Sequence, residues 1–258
     1  MSYELIEVAY EEQFATIILN NPKRRNALSL KCMQELTTAL REVGESPARG
    51  VILAANGPAF SAGHDFADMA DGDLEFMRKL LRTCTTMMNT LQEIPQPVLA
   101  RVHAIATAAG CQLVASCDLA VASTEAAFAT PGGRGGWFCT TPMVALSRNV
   151  GRKRALEMLL TGDPIDAQTA ADWGLVNRVV LPEQLEEESL RLLSAATRGS
   201  FFSKALGKQA FYAQMEMPQP LAYSYAMEVM AAASQIPDAQ EGMRAFLEKR
   251  KPQFDERS

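Results

Sequence analysis

One stretch, 103-HAIATAAGCQLVASCDLAVAS-123, constrains the fold more than any other. Small residues (Ala104, Ala106, Ala108, Ala109 and Gly110) lead into an apolar segment that closes on Cys117 and Asp118, and a β-like run follows. Small side chains let a second backbone or a ligand approach closely. A helix opening at this point would aim unpaired N–H groups at an anionic oxygen. The stretch therefore reads as an oxyanion site built from backbone rather than side chains.

Strands and helices alternate around it. Residues 3–10 and 14–19 read as two strands about the Glu11-Glu12-Gln13 turn, the second stopped by Asn20-Asn21-Pro22. Ser29 is placed to cap a helix running to about Val43, with Leu30, Met33, Leu36 and Leu40 on one face. Residues 50–54 read as a buried strand, 56–66 as a loop, and 73–94 as a long helix ended by Pro95 and Pro97. Strands at 98–102 and 119–122 follow, which makes the architecture α/β. Beyond Pro182 the pattern is helical, over 183–196, 203–215, 221–233 and 239–249. A boundary near 197–200 is expected to divide a core unit, 1–197, from a C-terminal helical region, 198–258.

Of the 258 residues, 48% are hydrophobic and 21% charged, which fits one globular unit or a core with an appendage. A net charge of −5 argues against a chain-wide field for nucleic acid. No basic start precedes an apolar segment, and no apolar run approaches the roughly 18 residues of a membrane helix. No signal peptide and no membrane partner are expected. Five cysteines are scattered without zinc-ligand spacing, which points to a reducing cytoplasm; two histidines leave no histidine-rich metal site. The run 132-GGRGG-136 lacks the Gly-Lys-Ser/Thr ending of a phosphate loop. Met87, Met88, Met227 and Met230 read as core or subunit contacts.

Five segments together resemble the crotonase, or enoyl-CoA hydratase/isomerase, family. They are 21-NPKRRNALS-29, 60-FSAGHDF-66, 107-TAAGCQLVASCDLAVAS-123, 173-WGLVNRVV-180 and 241-EGMRAFLEKRKPQF-254. They fall in family order, and the pairing of AGHD with ATAAGCQLVASCD points to one branch of the family. The resemblance implies a spiral of ββα turns with a C-terminal helical region, assembled as homotrimers or as dimers of trimers. The implied ligand is an acyl-CoA thioester, with CoA as the substrate's handle and no metal or redox cofactor. Its carbonyl would lie between the backbone N–H groups of His64 and Ala109. Glycine is usual at the second position; alanine keeps the N–H but restricts the backbone. Lys23 and Arg24 fall where the family places basic residues near CoA phosphates. Ala62, Asp65 and Gly110 belong to the two motifs around the thioester. Lys249 and Met230 fall where a neighbouring subunit's helices approach the adenine.

Hydratases of this family use two glutamates, because water must lose a proton while Cα gains one. Their positions correspond to Gln112 and Gly132 in this chain. Glutamine can orient a water but has no useful pKa, and glycine has no side chain. Each such group is worth about 10²–10⁴ in rate, so efficient hydration is not expected. Decarboxylation, isomerisation with a substituted base, and acyl-CoA binding without turnover stay open, as does hydration by an unrecognised base.

Substitute groups can be weighed from the residues alone. His64 could donate a hydrogen bond or proton through its imidazole as well as its backbone; the expected reading is that it supplies its N–H while its ring points elsewhere. Asp65 is expected to hold its loop, and Asp68, Asp71 and Glu75 to be solvated. Cys111 and Cys139 are expected to be packing residues, since no cation is assured to depress a thiol pKa. Thr140 can bond but cannot act as a base near neutrality. Arg134 could bind a carboxylate on the acyl group or stand on the surface. Trp137 and Phe138 could cover an acyl chain or simply pack.

Overall fold

Apolar residues on successive strand positions create a sheet that must be covered on both faces. The computed structural model describes residues 3–254, so the ends of the two expected units, 1–2 and 255–258, lie outside the described residues. β1 (Ile6–Glu11) and β2 (Phe14–Leu19) form an antiparallel hairpin in which Ile6 pairs with Leu19. The first strand therefore begins three residues later than the sequence suggests, because β2 ends opposite Ile6 and the ladder closes with the Asn20 N–H donating to Leu5 O. Ser29 caps α1 (Leu30–Glu45) by accepting from the Cys32 N–H. β3 (Gly50–Ala55) follows, then a single turn, α2 (Phe66–Met69), where Asp65 caps what reads as loop. Asp73 caps α3 (Leu74–Glu93), which leads to β4 (Val98–Val102), β5 (Ala106–Thr107) and α4 (Ala109–Ser116).

β6 (Leu119–Ser123), β7 (Ala127–Ala129), α5 (Pro142–Asn149) and α6 (Arg152–Thr161) continue the chain. β8 (Ile165–Asp166), α7 (Ala167–Trp173), β9 (Arg178–Val180) and α8 (Leu185–Thr197) follow. The larger sheet has the order β1-β2-β3-β4-β6-β9 and is parallel from β2 onward. A smaller sheet, β5-β7-β8, is extended by a bridge from Ser61 to Ala106. Successive turns thus send one strand to the large sheet and one short strand or bridge to the small one, which is the ββα spiral.

The large sheet's two faces belong to two cores. Val51, Leu53, Val98 and Ala100 pack with the α1, α3 and α4 side, while Ile52, Leu99 and Val121 pack with Leu185 and Leu193 of α8. This alternation explains why the strands read as unbroken apolar runs.

The last helices are α9 (Phe201–Met215), α10 (Gln219–Ala233) and α11 (Pro237–Leu247). Each begins two residues before the position its apolar pattern suggests, since Ser200 caps α9 and prolines occupy the first turns of the other two. Lys208 pins α9 to the core: its Nζ donates to Leu91 O (2.7 Å) and Gln96 O (2.8 Å) and pairs with Asp118 (2.7 Å). Asp118 also accepts from Tyr212 Oη and the Val98 N–H, each at 2.7 Å. In contrast, no residue of α10 is buried, and Tyr223, Met227 and Met230 are exposed. Among the described residues, no helix is long and apolar enough to cross a membrane.

Candidate active site

The site is assembled by backbone bonds that join four distant segments. In 21-NPKRRNA-27, Pro22–Arg24 makes a 3-10 turn, and Arg25 and Asn26 follow in the left-handed region (φ 50° and 52°). Asparagine is one of the few residues that tolerates this conformation. Asn26, fully buried, donates to Asn56 O (2.7 Å) and Ala59 O (2.9 Å) and accepts from the Asn21 N–H (2.9 Å). Ser61 Oγ donates to Asn26 O, Ala62 N–H to Arg25 O, and Leu28 N–H to Gly63 O. The second segment then binds the third through Phe60 N–H to Ile105 O and Thr107 N–H to Ser61 O. The third binds the fourth through Ala108 N–H to Ala129 O (2.8 Å).

Glycines allow the close approach of the second and third segments. A Cβ on Gly63, which sits at φ 85°, would lie 2.9 Å from Thr107 O and 3.1 Å from Ala109 N. A Cβ on Gly110 would lie 2.4 Å from Ser61 O. The two segments thus touch where the sequence places two backbone donors. In the parallel bridge between Leu28 and His64, the bonds are made by Gly63 O and the Asp65 N–H, so the His64 N–H faces the other way. Ala109 opens α4, a position whose N–H has no intrahelical acceptor. Neither N–H has a backbone acceptor among the described residues.

The backbone restriction falls on Ala108, not on Ala109. Ala108 takes φ 51° and ψ −118°, a region that suits glycine, whereas Ala109 is an ordinary helical residue. Sequence reasoning assigned the restriction one residue late, because only the strand-to-helix corner shows which alanine turns.

Beside these donors lies a cavity of about 410 Å³, lined chiefly by Ala62, His64, Phe66, Ala108, Ala109, Pro131, Trp137, Phe138 and Pro142. No carboxylate lines it among the described residues. Arg134 is at its rim, but its guanidinium pairs with Asp163 at 2.8 Å. Lys23, Arg24, Asp65, Gly110, Gln112 and Lys249 are not among the lining residues. Arg24 is held by a bidentate pair to Asp65 (2.6 and 2.9 Å), and Asp65 also caps α2 through the Ala67 N–H. Lys249 follows α11 in the left-handed region (φ 54°). Asp68, half-buried, also accepts from the Leu30 N–H at 2.8 Å.

The ring of His64 does not point away from the site. It lies against Trp137, with ring centroids 6.4 Å apart and a tilt of 49°, and both its nitrogens are covered and make no well-formed hydrogen bond among the described residues, the Leu28 backbone being beside them. Burial holds its pKa below the usual 6.5, and the Leu28 backbone opposes this only in part. Gln112 is buried on α4 with an unpartnered Oε1, and Thr130, next in register to Ala108, is buried with an unpartnered Oγ. Sequence reasoning missed Asn26 and Thr130; the tolerance of asparagine for left-handed backbone was the available signal for the first.

Gly132 admits no side chain. A Cβ there would lie 2.3 Å from Trp137 O and 2.7 Å from Cys139 Sγ. The Cys111 thiol is fully buried, which pushes its pKa up to about 12, and burial also raises that of Cys139.

A family model described as enoyl-CoA hydratase/isomerase matches residues 9–257. The mouse protein named enoyl-CoA hydratase domain-containing protein 3, mitochondrial, is 44% identical over 250 residues, 96% of this chain and 83% of its own. The zebrafish protein of that name is 46% identical over 238 residues, 92% of this chain and 82% of its own. Among solved structures, one titled enoyl-CoA hydratase from Mycobacterium smegmatis superposes with a TM-score of 0.94 at 47% identity, covering 97% of this chain and 98% of that one. The human enoyl-CoA hydratase domain-containing protein 3 gives 0.93 at 41%, covering 97% and 100%. The pairing of AGHD with ATAAGCQLVASCD thus points to the branch carried by these relatives.

Proposed function

Since the chain belongs to the enoyl-CoA hydratase/isomerase family, we propose that it binds an acyl-CoA thioester and polarises its carbonyl between the N–H groups of His64 and Ala109. The observation that carries this reading is the meeting of the two donor segments at Gly63 beside an apolar cavity. Two such donors stabilise negative charge on the carbonyl oxygen, which favours an enolate at Cα. Water addition also needs proton transfer, and neither Gln112 nor Gly132 supplies a carboxylate. The enzymatic reading is therefore enolate chemistry, such as isomerisation or decarboxylation, rather than efficient hydration.

Calorimetric titration with butyryl-CoA should give saturable binding, tighter than for CoA itself. Crotonyl-CoA should not be hydrated at an ordinary turnover of roughly 10 s⁻¹. Absence of acyl-CoA binding would refute the thioester reading, and hydration at that rate would refute the rest. A second reading, binding without turnover, is favoured by the cavity's lack of a lining carboxylate; product from any acyl-CoA would exclude it.

A homotrimer, or a pair of trimers, would cover the apolar surface of α10, no residue of which is buried in the single chain. The helical region beyond residue 197 would then supply subunit contacts, and a neighbour's Lys249 would join Lys23 and Arg24 in supplying charge for the CoA phosphates. Five free cysteines fit a reducing setting, cytoplasmic or mitochondrial.

A further inference from the structure

An apolar cavity that forms an enolate needs some group to take and return a proton. Three titratable side chains line it: His64, Arg134 and Cys139. The Arg134 guanidinium is paired with Asp163 and offers only donors. The Cys139 thiol is buried and protonated. Asp65, beside His64 in sequence, is occupied by Arg24 and the Ala67 N–H. That leaves an imidazole whose two nitrogens are covered and make no well-formed hydrogen bond among the described residues, with the Leu28 backbone beside them. Buried polar groups are nearly always partnered, so an orphaned pair beside two orphaned backbone donors requires an explanation. Beside it stands Trp137, itself 43% exposed and directly after 132-GGRGG-136, where Gly136 (φ 85°) has open space around it.

We propose that the His64 imidazole is the proton-transfer group of this site, reached when an acyl chain takes the place of the Trp137 ring. The inference rests on the acyl-thioester reading above. A neutral ring nitrogen takes a proton from Cα of the acyl group. The C–H electron pair becomes the enolate double bond, and the charge moves to the thioester oxygen between the two N–H groups. The imidazolium then returns the proton. Return to Cα gives exchange with solvent; return to Cγ of a β,γ-unsaturated acyl group moves the double bond into conjugation. Either course regenerates the neutral ring and consumes no other reactant. Burial favours the neutral imidazole at neutral pH, as a base requires.

The test is Cα deuterium exchange of butyryl-CoA in D₂O, with isomerisation of 3-hexenoyl-CoA in parallel, both followed by mass spectrometry. His64→Gln should lower both rates by about 10²–10⁴-fold, far more than it weakens butyryl-CoA binding. A variant-free test is the pH profile of the natural protein. The rate should rise with a midpoint below 6.5 and be flat above it. A rate that climbs only above pH 8, as a Cys139 thiolate would give, overturns the assignment. So does a His64→Gln protein that exchanges within threefold of the natural one, or butyryl-CoA that binds without exchanging. Failure of every acyl-CoA to bind would instead overturn the thioester reading beneath it.

Discussion

Ala108→Gly should make this protein more stable, against the usual direction of mutation. Ala108 sits at φ 51° and ψ −118°, where a Cβ is disfavoured. Holding a non-glycine residue in such a region costs about 1–3 kcal/mol. Glycine at 108 forfeits about 0.4–1 kcal/mol through greater freedom of the unfolded chain. It also loses a half-buried methyl, worth less than about 0.8 kcal/mol. The midpoints leave a gain of roughly 1 kcal/mol. In a chain of this size that raises the thermal midpoint by about 2 °C. Differential scanning calorimetry and urea unfolding at fixed protein and salt concentration measure it, and the urea m-value should be unchanged. A midpoint equal to or below that of the natural protein would refute the reasoning. It would mean that the corner between β5 and α4 does not impose the left-handed turn. The same corner opens α4 at Ala109, whose N–H is one of the two proposed donors.

Replacing Lys208 by Met removes the cation from a buried cluster and leaves Asp118 with only Tyr212 and the Val98 N–H; a loss of about 3–5 kcal/mol is expected in urea unfolding. Gly63→Ala drives a Cβ to 2.9 Å from Thr107 O at φ 85°, and should lower both the melting point and butyryl-CoA affinity, read by calorimetry. Gly132→Glu restores the carboxylate of family hydratases in name only: its Cβ meets Trp137 O at 2.3 Å, so crotonyl-CoA hydration should not appear in a spectrophotometric assay. Stability should depend on His64 protonation. Its folded pKa lies below the unfolded value of 6.5, so in that window the unfolded chain holds a proton that the folded one lacks. Stability is therefore full above pH 6.5 and falls as pH drops through the window, and His64→Leu should flatten that part of the urea-midpoint curve.

Much of the frame was legible in one sequence. The cap at Ser29, the continuous apolar runs of β3, β4 and β6, and the small residues at 106–110 are local signals, and each acts within a few residues of where it is written. Five motifs in order sufficed to imply the spiral. The short strands β5, β7 and β8 were not legible, since two or three residues carry no periodicity; only pairing across the turns makes them strands.

What the tertiary structure alone decided is geometric. It moved the strained residue to Ala108, closed Gly132 beneath Trp137 O and Cys139 Sγ, and turned the His64 ring toward Trp137. The reason is the range of the interactions. Helix caps and hydrophobic periodicity are set by neighbours along the chain. The direction of a ring, the room for a Cβ and the orphaning of a buried nitrogen are set by segments such as 60–66, 106–112 and 130–139, which meet only when the spiral closes.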